Sequence, residues 1–581
     1  MTDEEQNQPI DDGQPPEEEL DASAYYLTGP KLYLCALSIV FCLILSAMDQ
    51  TIANTAIKGL ESTFHDFSKI GWVTSAFMLP SAVFALLWGR FGMLFGRRIC
   101  LLISIFLFEL GSLISAVAPS MNAFIVGRAI TGIGAAGIQT GAMLVIAEIA
   151  PVAKRGILLA GVTLSIVPAA VIGPLIGGAF TSSKTLTWRW CLYINLPFGG
   201  LAGVCLLLFY HPLPTKNLLA HINWRKWPEC IIEFSKTIDF YGAFLLTASW
   251  VMLLVGISFG DDAKAWRSAL ALTLVIIGGI MFICGLVYDF WFFNRTQSNL
   301  PLLPRDWIVI RGVLGPSFAL FFGSMSFFAG LMYVSVYFEL VLDHSAFKSG
   351  VDLLPIIIAA MPASILSGVL SSRKQIMKPL LLMAGPLLAI GNGLVTMFDA
   401  NTSTGAHIGY LIFFGVGFGL LLQPAILSAQ CTVPGDAMIR KLIVTSFLTY
   451  SRSLGAAAGG IVATAIYSTV SNRKLTQSGL FGSSPDINAI LESVSGSGIS
   501  VLQQEAISDA LETALHAVFW SCVATSILAF LPAILANSDS RSKEAFKPAN
   551  SSTEKTKRAE KTEDEEAKEI QGESHDEIQD V

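Results

Sequence analysis

The sequence predicts an all-α polytopic membrane protein with fourteen transmembrane helices. Hydrophobic residues make up 53% of the 581 residues and charged residues only 14%, which leaves too few polar side chains to cover a water-soluble surface. Apolar segments of the length that crosses a bilayer, about 20 residues, recur along the chain. They do not alternate between apolar and polar residues as β-barrel strands do, so helices must satisfy the backbone hydrogen bonds.

The apolar segments alternate with polar connections that differ in charge. Every second connection is rich in Lys or Arg, as at Arg97 and Arg98, and such connections face the cytosol. Because the number of segments is even, both chain ends are predicted to lie in the cytosol. The segments occupy residues 31–55, 70–94, 98–118, 122–147, 156–180, 190–210, 238–259, 268–293, 312–338, 349–371, 379–398, 406–430, 441–469 and 514–536.

The polar parts of the chain are tails and loops. Residues 1–30 form an acidic tail and residues 537–581 a charged tail, and both are predicted to be disordered and cytosolic. Residues 211–237 and 294–311 are cytosolic loops, and residues 470–513 form an external loop whose helical end we expect to lie partly on the membrane surface. None of these segments is long enough to bury the core of a soluble domain.

Several chemical functions are excluded by the sequence. The nine cysteines are scattered without a Cys-x-x-Cys pair, so no metal site or cofactor is predicted. The segment GIGAAG at residues 132–137 matches a dinucleotide fingerprint by letter, but it lies inside one apolar run and indicates close helix packing. No catalytic constellation and no basic face for nucleic acid is present, so an enzyme and a nucleic-acid partner are both excluded.

An ordered set of motifs runs through the N-terminal half. The first is AMDQTIANTAI, in the first apolar segment, and the second is the Gly-rich, basic GRFGMLFGRR between the second and third. The set comprises AMDQTIANTAI at residues 47–57, GRFGMLFGRR at 89–98, GRAITGIGAAG at 127–137, GPLIGG at 173–178 and WRWCLYINLPFGG at 188–200.

The second half continues the set with VYFELVLDHSAFKSGVDLLP at residues 336–355, the pair Gln423–Pro424 and YSRSLGAAAGG at residues 450–460. In this order the motifs resemble the fourteen-spanner drug:proton antiporter branch of the major facilitator superfamily, of the fungal toxin and multidrug efflux type. The resemblance implies the major facilitator fold. That fold has two six-helix bundles, expected at residues 31–210 and 312–536, with two inserted central helices at residues 238–293.

The resemblance implies a proton-coupled secondary transporter that exports small organic molecules, either xenobiotics or a toxic secondary metabolite of the same cell. The GPLIGG motif resembles that of the antiporters and so favours export. Two alternatives stay open: a proton-coupled uptake carrier, such as a siderophore transporter, and a non-transporting membrane sensor. The sensor is favoured by Met93, which stands where the family usually has Asp. We expect a monomer in the plasma membrane, with the vacuolar or a vesicle membrane as alternatives.

The charged residues Asp49, Glu109, Arg128 and Arg452 lie inside apolar segments. A charge at membrane depth is costly and should face a cavity or a partner. Counting the helical rise places Asp49 about 27 Å and Arg128 about 9 Å along their segments, at similar depth in the outer half of the membrane. We therefore expect one charged network whose protonation biases the inward and outward states. The alternatives are that Asp49 meets headgroup water and that Glu109 only bonds a neighbouring helix.

Glycines and cations form the predicted gate and hinge. Pro174 removes a helix hydrogen bond, and nearby glycines allow a bend or close packing, so GPLIGG is predicted to be a hinge, with static packing as the alternative. The basic motif is predicted to gate the cytosolic side, as the resemblance implies. The gating and hinge candidates are Gly89, Gly96, Arg97, Arg98, Gly173, Pro174, Gly177 and Gly178.

The remaining candidate residues are those for cargo binding and for glycosylation. Gln139, Asn195, Gln423 and Tyr450 are candidates for lining a cargo cavity, whose shape we expect to suit apolar, aromatic molecules. Asn401 begins an Asn-Thr-Ser sequon on the predicted external side and is a candidate glycosylation site.

Overall fold

The computed structural model contains helices and no β-strand in the part of the chain that it describes. The predicted tail at 537–581 lies outside this part, as do nearly all of residues 1–30 and 211–237 and most of 294–311. The described residues are 27, 29–55, 60, 63–64, 71–149, 165–183, 186–211, 239–259, 268–292, 308–342, 344–374, 376–398, 402–433, 438–481, 490 and 501–536.

Fourteen helices coincide with the fourteen predicted segments. They are α1 (Pro30–Thr55), α2 (Gly71–Leu94), α3 (Arg97–Ala116), α4 (Met121–Ile149), α5 (Ile166–Ser182), α6 (Asn195–Phe209), α7 (Phe240–Ser258), α8 (Ala269–Val287), α9 (Arg311–Leu340), α10 (Leu354–Lys374), α11 (Met377–Val395), α12 (Thr404–Thr432), α13 (Met438–Ser478) and α14 (Val501–Ala533).

The lengths of these helices suit a bilayer. Among the described residues, twelve spans are long and apolar enough to cross a membrane. The described part of α5 and the apolar stretch of α7, Tyr241–Ile257, are shorter, at 17 residues each. Short helices at Trp190–Tyr193 and Ala346–Asp352 precede α6 and α10, and a π-helical turn at Tyr288–Phe292 ends α8. The predicted all-α, fourteen-helix architecture is confirmed.

Helices α1–α6 form the N-terminal half, which close glycine contacts hold together. A Cβ atom at Gly132 of α4 would overlap the carbonyl group of Phe77 on α2, and one at Gly134 would overlap the backbone of Phe108 on α3. Both glycines belong to the GIGAAG segment. Their side-chain-free surfaces let three helices approach closely, so the segment packs helices, as the sequence predicted.

Helices α9–α14 form the C-terminal half, whose core is rich in stacked aromatic rings. Phe327 of α9 stacks on Phe418 of α12 with 3.7 Å between the ring centroids, and on Phe414 with 5.1 Å. Beside these rings, Gly415 of α12 lies so close to α10 that a Cβ atom would overlap the carbonyl oxygen of Ile356. Ring stacking on one side and a glycine contact on the other therefore fix α12 in this half.

The two halves meet along α13, and the inserted helices pack beside this contact. Ala456 of α13 is buried in the core of the N-terminal half. At Gly89 of α2, a Cβ atom would lie 2.8 Å from the hydroxyl oxygen of Ser446 of α13. Helix α7 covers α2 and α13 through Leu246, which packs in one cluster with Leu86 and Tyr450.

The predicted external loop is partly helical. Helix α13 continues to Ser478 and α14 begins at Val501, and Lys474 and Asp509 form an ion pair between these extensions at 2.8 Å. The helical pattern expected to lie on the membrane surface is instead continuous with α14. Burial explains the difference, because Leu511 and Leu475 pack into the core of the C-terminal half.

We predict that Gly415→Val destabilises the protein, because the new side chain would force α10 and α12 apart. Overpacking of this kind costs about 1–3 kcal/mol. Gly409→Val is the matched control on the same helix, since a Cβ atom at Gly409 meets open space. Thermal unfolding of the purified protein in detergent should show a lower midpoint for Gly415→Val alone. Equal midpoints would show that this contact does not hold the helices.

Candidate functional site

A buried ion pair joins α1 and α4. The guanidinium of Arg128 donates to the carboxylate of Asp49, and the two residues are 1% and 0% exposed. Arg128 also donates from Nε to the carbonyl oxygen of Val73 on α2 at 3.2 Å, and from Nη2 to the carbonyl oxygen of Asp49 at 3.3 Å. Its guanidinium carbon lies 4.7 Å from the centre of the Phe77 ring. The side chain of Arg128 therefore connects α4 to α1 and α2.

Asn195 completes the coordination of Asp49. Its Nδ2 atom donates to Oδ1 of Asp49 and to the hydroxyl oxygen of Ser112 on α3, each at 3.2 Å. Asn195 is fully buried, and its Oδ1 atom has no hydrogen-bond partner among the described residues. The sequence predicts Asn195 in the cargo cavity, whereas the structure places it in the charged cluster. An amide suits this position because it can donate to a carboxylate and also accept from a carboxylic acid.

Glu109 lies beside the same cluster, one helical turn before Ser112 on α3. Both of its carboxyl oxygens are buried, and neither has a hydrogen-bond partner in the described part of the chain. The carboxyl group packs against Gly199 of α6, where a Cβ atom would overlap it. Gly199 belongs to the WRWCLYINLPFGG motif, so this motif supplies both the amide beside Asp49 and the space for Glu109.

The fourth charged residue, Arg452, lies apart from this cluster. Its Nη2 atom donates to the Oε1 atom of Gln139 on α4 at 2.8 Å, which links the C-terminal half to the N-terminal half. The other two cavity candidates have different neighbours. Tyr450 lines a small cavity between α2, α7 and α13, and Gln423 of α12 packs against Gly368 of α10.

The gate candidates lie at the turn between α2 and α3. Gly96 precedes α3 with a φ of 91°, a left-handed conformation that glycine adopts without strain. The guanidinium of Arg98 donates to the carbonyl oxygen of Leu207 on α6. Arg97 is half-buried at the start of α3. The side chain of Met93 lies outside the described residues.

The hinge candidates lie within α5, which is one continuous helix from Ile166 to Ser182. Gly173, Gly177 and Gly178 are buried in it, and Pro174 occupies a helical position whose side chain is not among those described. Helix α5 packs on α1 in its own half and on α10 and the short helix Ala346–Asp352 in the other half. The helix that carries the motif therefore lies where the two halves touch. Asn401 lies outside the described residues.

Comparison with known proteins identifies the family. Residues 39–260 match the family model described as Major Facilitator Superfamily. The chain is 34% identical over 477 residues to Vacuolar basic amino acid transporter 5 of Saccharomyces cerevisiae, covering 78% of this chain and 81% of the relative. The chain belongs to the major facilitator superfamily. It is a multi-pass membrane transporter and not an enzyme, as the motifs predicted.

Two further comparisons agree with the major facilitator assignment. The chain is 31% identical over 525 residues to Efflux pump aflT of Aspergillus parasiticus, covering 89% of this chain and 97% of that protein. Its fold is similar to the crystal structure of a D-xylose-proton symporter, with a TM-score of 0.54 and 14% identity over 88% of this chain and 98% of the symporter. The resemblance to the efflux branch is confirmed by the fungal relative and the fold by the solved structure.

Sequence reasoning missed a neutral polar cluster in the C-terminal half of this transporter. Asn392 of α11 donates to the hydroxyl oxygens of Ser326 on α9, at 3.0 Å, and Ser526 on α14, at 3.3 Å. All three residues are buried. In the sequence, this cluster is visible only as three uncharged polar residues within apolar runs. No sequence pattern shows that the three side chains face one another.

We predict that Arg128→Met lowers the stability of the protein strongly, because it leaves the carboxylate of Asp49 buried without its cation. Breaking one side of a buried pair costs about 3–5 kcal/mol. The double variant Asp49→Asn with Arg128→Met removes both charges and should recover most of the thermal midpoint in detergent. A double variant no more stable than Arg128→Met would show that the cost is not that of an unpaired charge.

Proposed function

We propose that this protein is a proton-coupled exporter of small organic molecules and that Asp49, Arg128 and Glu109 couple the proton to the transport cycle. The observation that carries the proposal is the fully buried Asp49–Arg128 pair, with the carboxyl group of Glu109 beside it, for which the described part of the chain offers no hydrogen-bond partner. Ionisable groups inside a membrane protein are costly and mark proton or substrate pathways.

Protonation of Asp49 would change the packing of three helices. With Asp49 ionised, Arg128 holds α1 and α4 through the carboxylate and α2 through the carbonyl of Val73. A proton on Asp49 removes the anion that Arg128 faces, so the attraction between α1 and α4 weakens. Asn195 can accept a hydrogen bond from the acid through its unpartnered Oδ1 atom after rotation of the amide. The two protonation states thus favour different helix arrangements.

Glu109 is a second place where a proton can be held. An ionised carboxylate is costly to bury without a donor or a cation, and no hydrogen-bond partner of Glu109 is found among the described residues. Its position one turn from Ser112 places it next to Asn195 and Asp49. A proton that leaves Asp49 can therefore bind to the neighbouring carboxyl group of Glu109, and the reverse transfer is equally short.

Export is the direction that the relatives favour. The name of the Aspergillus relative describes an efflux pump, and that of the yeast relative describes a vacuolar transporter. We propose a monomer in the plasma membrane with both termini in the cytosol, or in the vacuolar membrane with the same orientation. In both locations the cargo leaves the cytosol while protons flow into the cytosol down their gradient.

We expect Asp49→Asn to abolish transport driven by a pH gradient, because Asn cannot change its charge. Proteoliposomes loaded with fluorescein or with rhodamine 123 would show pH-driven movement of the dye in the wild type and at least about a tenfold lower rate in the variant. Asp509→Asn is the control, since this exposed carboxylate lies at the end of the extension of α14. A normal rate for Asp49→Asn would refute the coupling role.

We expect Glu109→Gln to separate coupling from cargo movement. Gln has nearly the shape of the protonated acid, so the site should still fold and pack against Gly199. Proton-driven accumulation of the dye should fall severalfold, while exchange of dye down its own gradient should continue near the wild-type rate. Equal loss of both activities would assign Glu109 a purely structural role.

A further inference from the structure

Arg452 differs from Arg128 in what surrounds it. Arg128 faces a carboxylate, two carbonyl oxygens and an aromatic ring. Arg452 makes a single side-chain hydrogen bond, to the neutral amide of Gln139, and forms no ion pair within the described part of the chain. A guanidinium carries five N–H donors, so most of the donors of Arg452 are available to another acceptor.

Arg452 is only partly enclosed by the protein. Its side chain is half-buried, and its hydrogen bond to Gln139 of α4 places it between the two halves. A guanidinium in such a place, without a counter-ion, is costly unless an anion or water meets it.

Arg452 lies at the contact between the two halves. Arg452 is on α13 and Gln139 on α4, and Ala456, one turn beyond Arg452, packs in the core of the N-terminal half. On α9, Phe321 approaches Gly455, one turn from Arg452, and its half-buried ring also packs against the N-terminal half. The turn of α13 that follows Arg452 therefore packs with apolar and aromatic residues at the boundary between the two halves.

We propose that Arg452 recognises the cargo and selects organic anions, namely carboxylates or phenolates carried on an apolar, aromatic body. The proposal rests on the export function above. A carboxylate or phenolate accepts a stronger hydrogen bond from Arg than a neutral amide does, so an anion can displace Gln139. Displacement breaks the hydrogen bond between α4 and α13. Binding of the cargo would thus remove a contact that holds the two halves together.

The test compares two xanthene dyes of similar size and opposite charge, fluorescein and rhodamine 123. Their binding to the purified full-length protein is measured by fluorescence anisotropy in detergent at pH 7.5, without a pH gradient. The wild type should bind fluorescein at least about tenfold more tightly than rhodamine 123. Arg452→Gln should weaken fluorescein binding roughly ten- to a hundredfold, the loss of one hydrogen bond to a charged group, and change rhodamine 123 binding less than about twofold.

Three further variants test whether the charge and the geometry of Arg452 determine fluorescein binding. Arg452→Lys keeps the charge without the fork geometry and should bind fluorescein with intermediate affinity. Gln139→Leu removes the internal competitor and should tighten fluorescein binding. Arg473→Gln, an exposed position on the same helix, should leave both affinities unchanged.

Two results would overturn the proposal: a wild type that does not prefer fluorescein, or an Arg452→Gln variant that loses both dyes equally. If Arg452→Gln does not fold, Arg452→Lys and Gln139→Leu decide the question. Because no gradient is used, charge selectivity in binding can hold even if pH-driven transport of both dyes fails. The failure of the export proposal and the failure of this one are therefore distinguishable.

Discussion

The cost of a charge at membrane depth is the constraint on which the N-terminal half of this protein depends. Asp49 and Arg128 can be buried only because they neutralise each other and because carbonyl groups and an amide satisfy what remains. The helices must approach closely for this to happen. Gly111 of α3 and Gly127 of α4 provide that approach, since a Cβ atom at either position would overlap the opposing helix. Small residues and charged residues in this half are therefore parts of one arrangement.

The two halves differ in the polar groups that they bury. The corresponding polar centre of the C-terminal half is the uncharged cluster of Asn392, Ser326 and Ser526, which has no group that titrates near neutral pH. The proposed proton site is therefore the charged cluster of the N-terminal half and not this Asn/Ser cluster. Arg452 belongs to the C-terminal half but bonds to Gln139 of α4, the helix that also carries Arg128. One helix thereby connects the proposed proton site with the proposed cargo site.

The fold could be predicted from the sequence because apolar length is a property of a single segment, and so each of the fourteen predicted segments contains a helix. The similar depth of Asp49 and Arg128 followed from the helical rise alone. The contacts of Asn195 and Glu109 could not be predicted, because they depend on the rotation of α3 and α6 about their axes, which segment length does not determine. The same limit applied to α14, where burial of Leu511 against other helices decided between a surface helix and a continuous one.

The contrast between Arg128 and Asn195 explains why an amide stands beside a carboxylate that is proposed to take up protons. Arg128 only donates hydrogen bonds, so it pairs with the ionised carboxylate of Asp49 and cannot accept from the protonated acid. Asn195 donates to the ionised form through Nδ2, and its Oδ1 atom, which has no partner among the described residues, can accept from the protonated form. A second cation in place of Asn195 would hold Asp49 ionised throughout the cycle, whereas an apolar residue would leave Ser112 and Asp49 without this donor. The amide of Asn195 keeps the carboxyl group of Asp49 in position in either protonation state. Protonation can therefore weaken the ion pair between α1 and α4 while the other hydrogen bonds of the cluster remain.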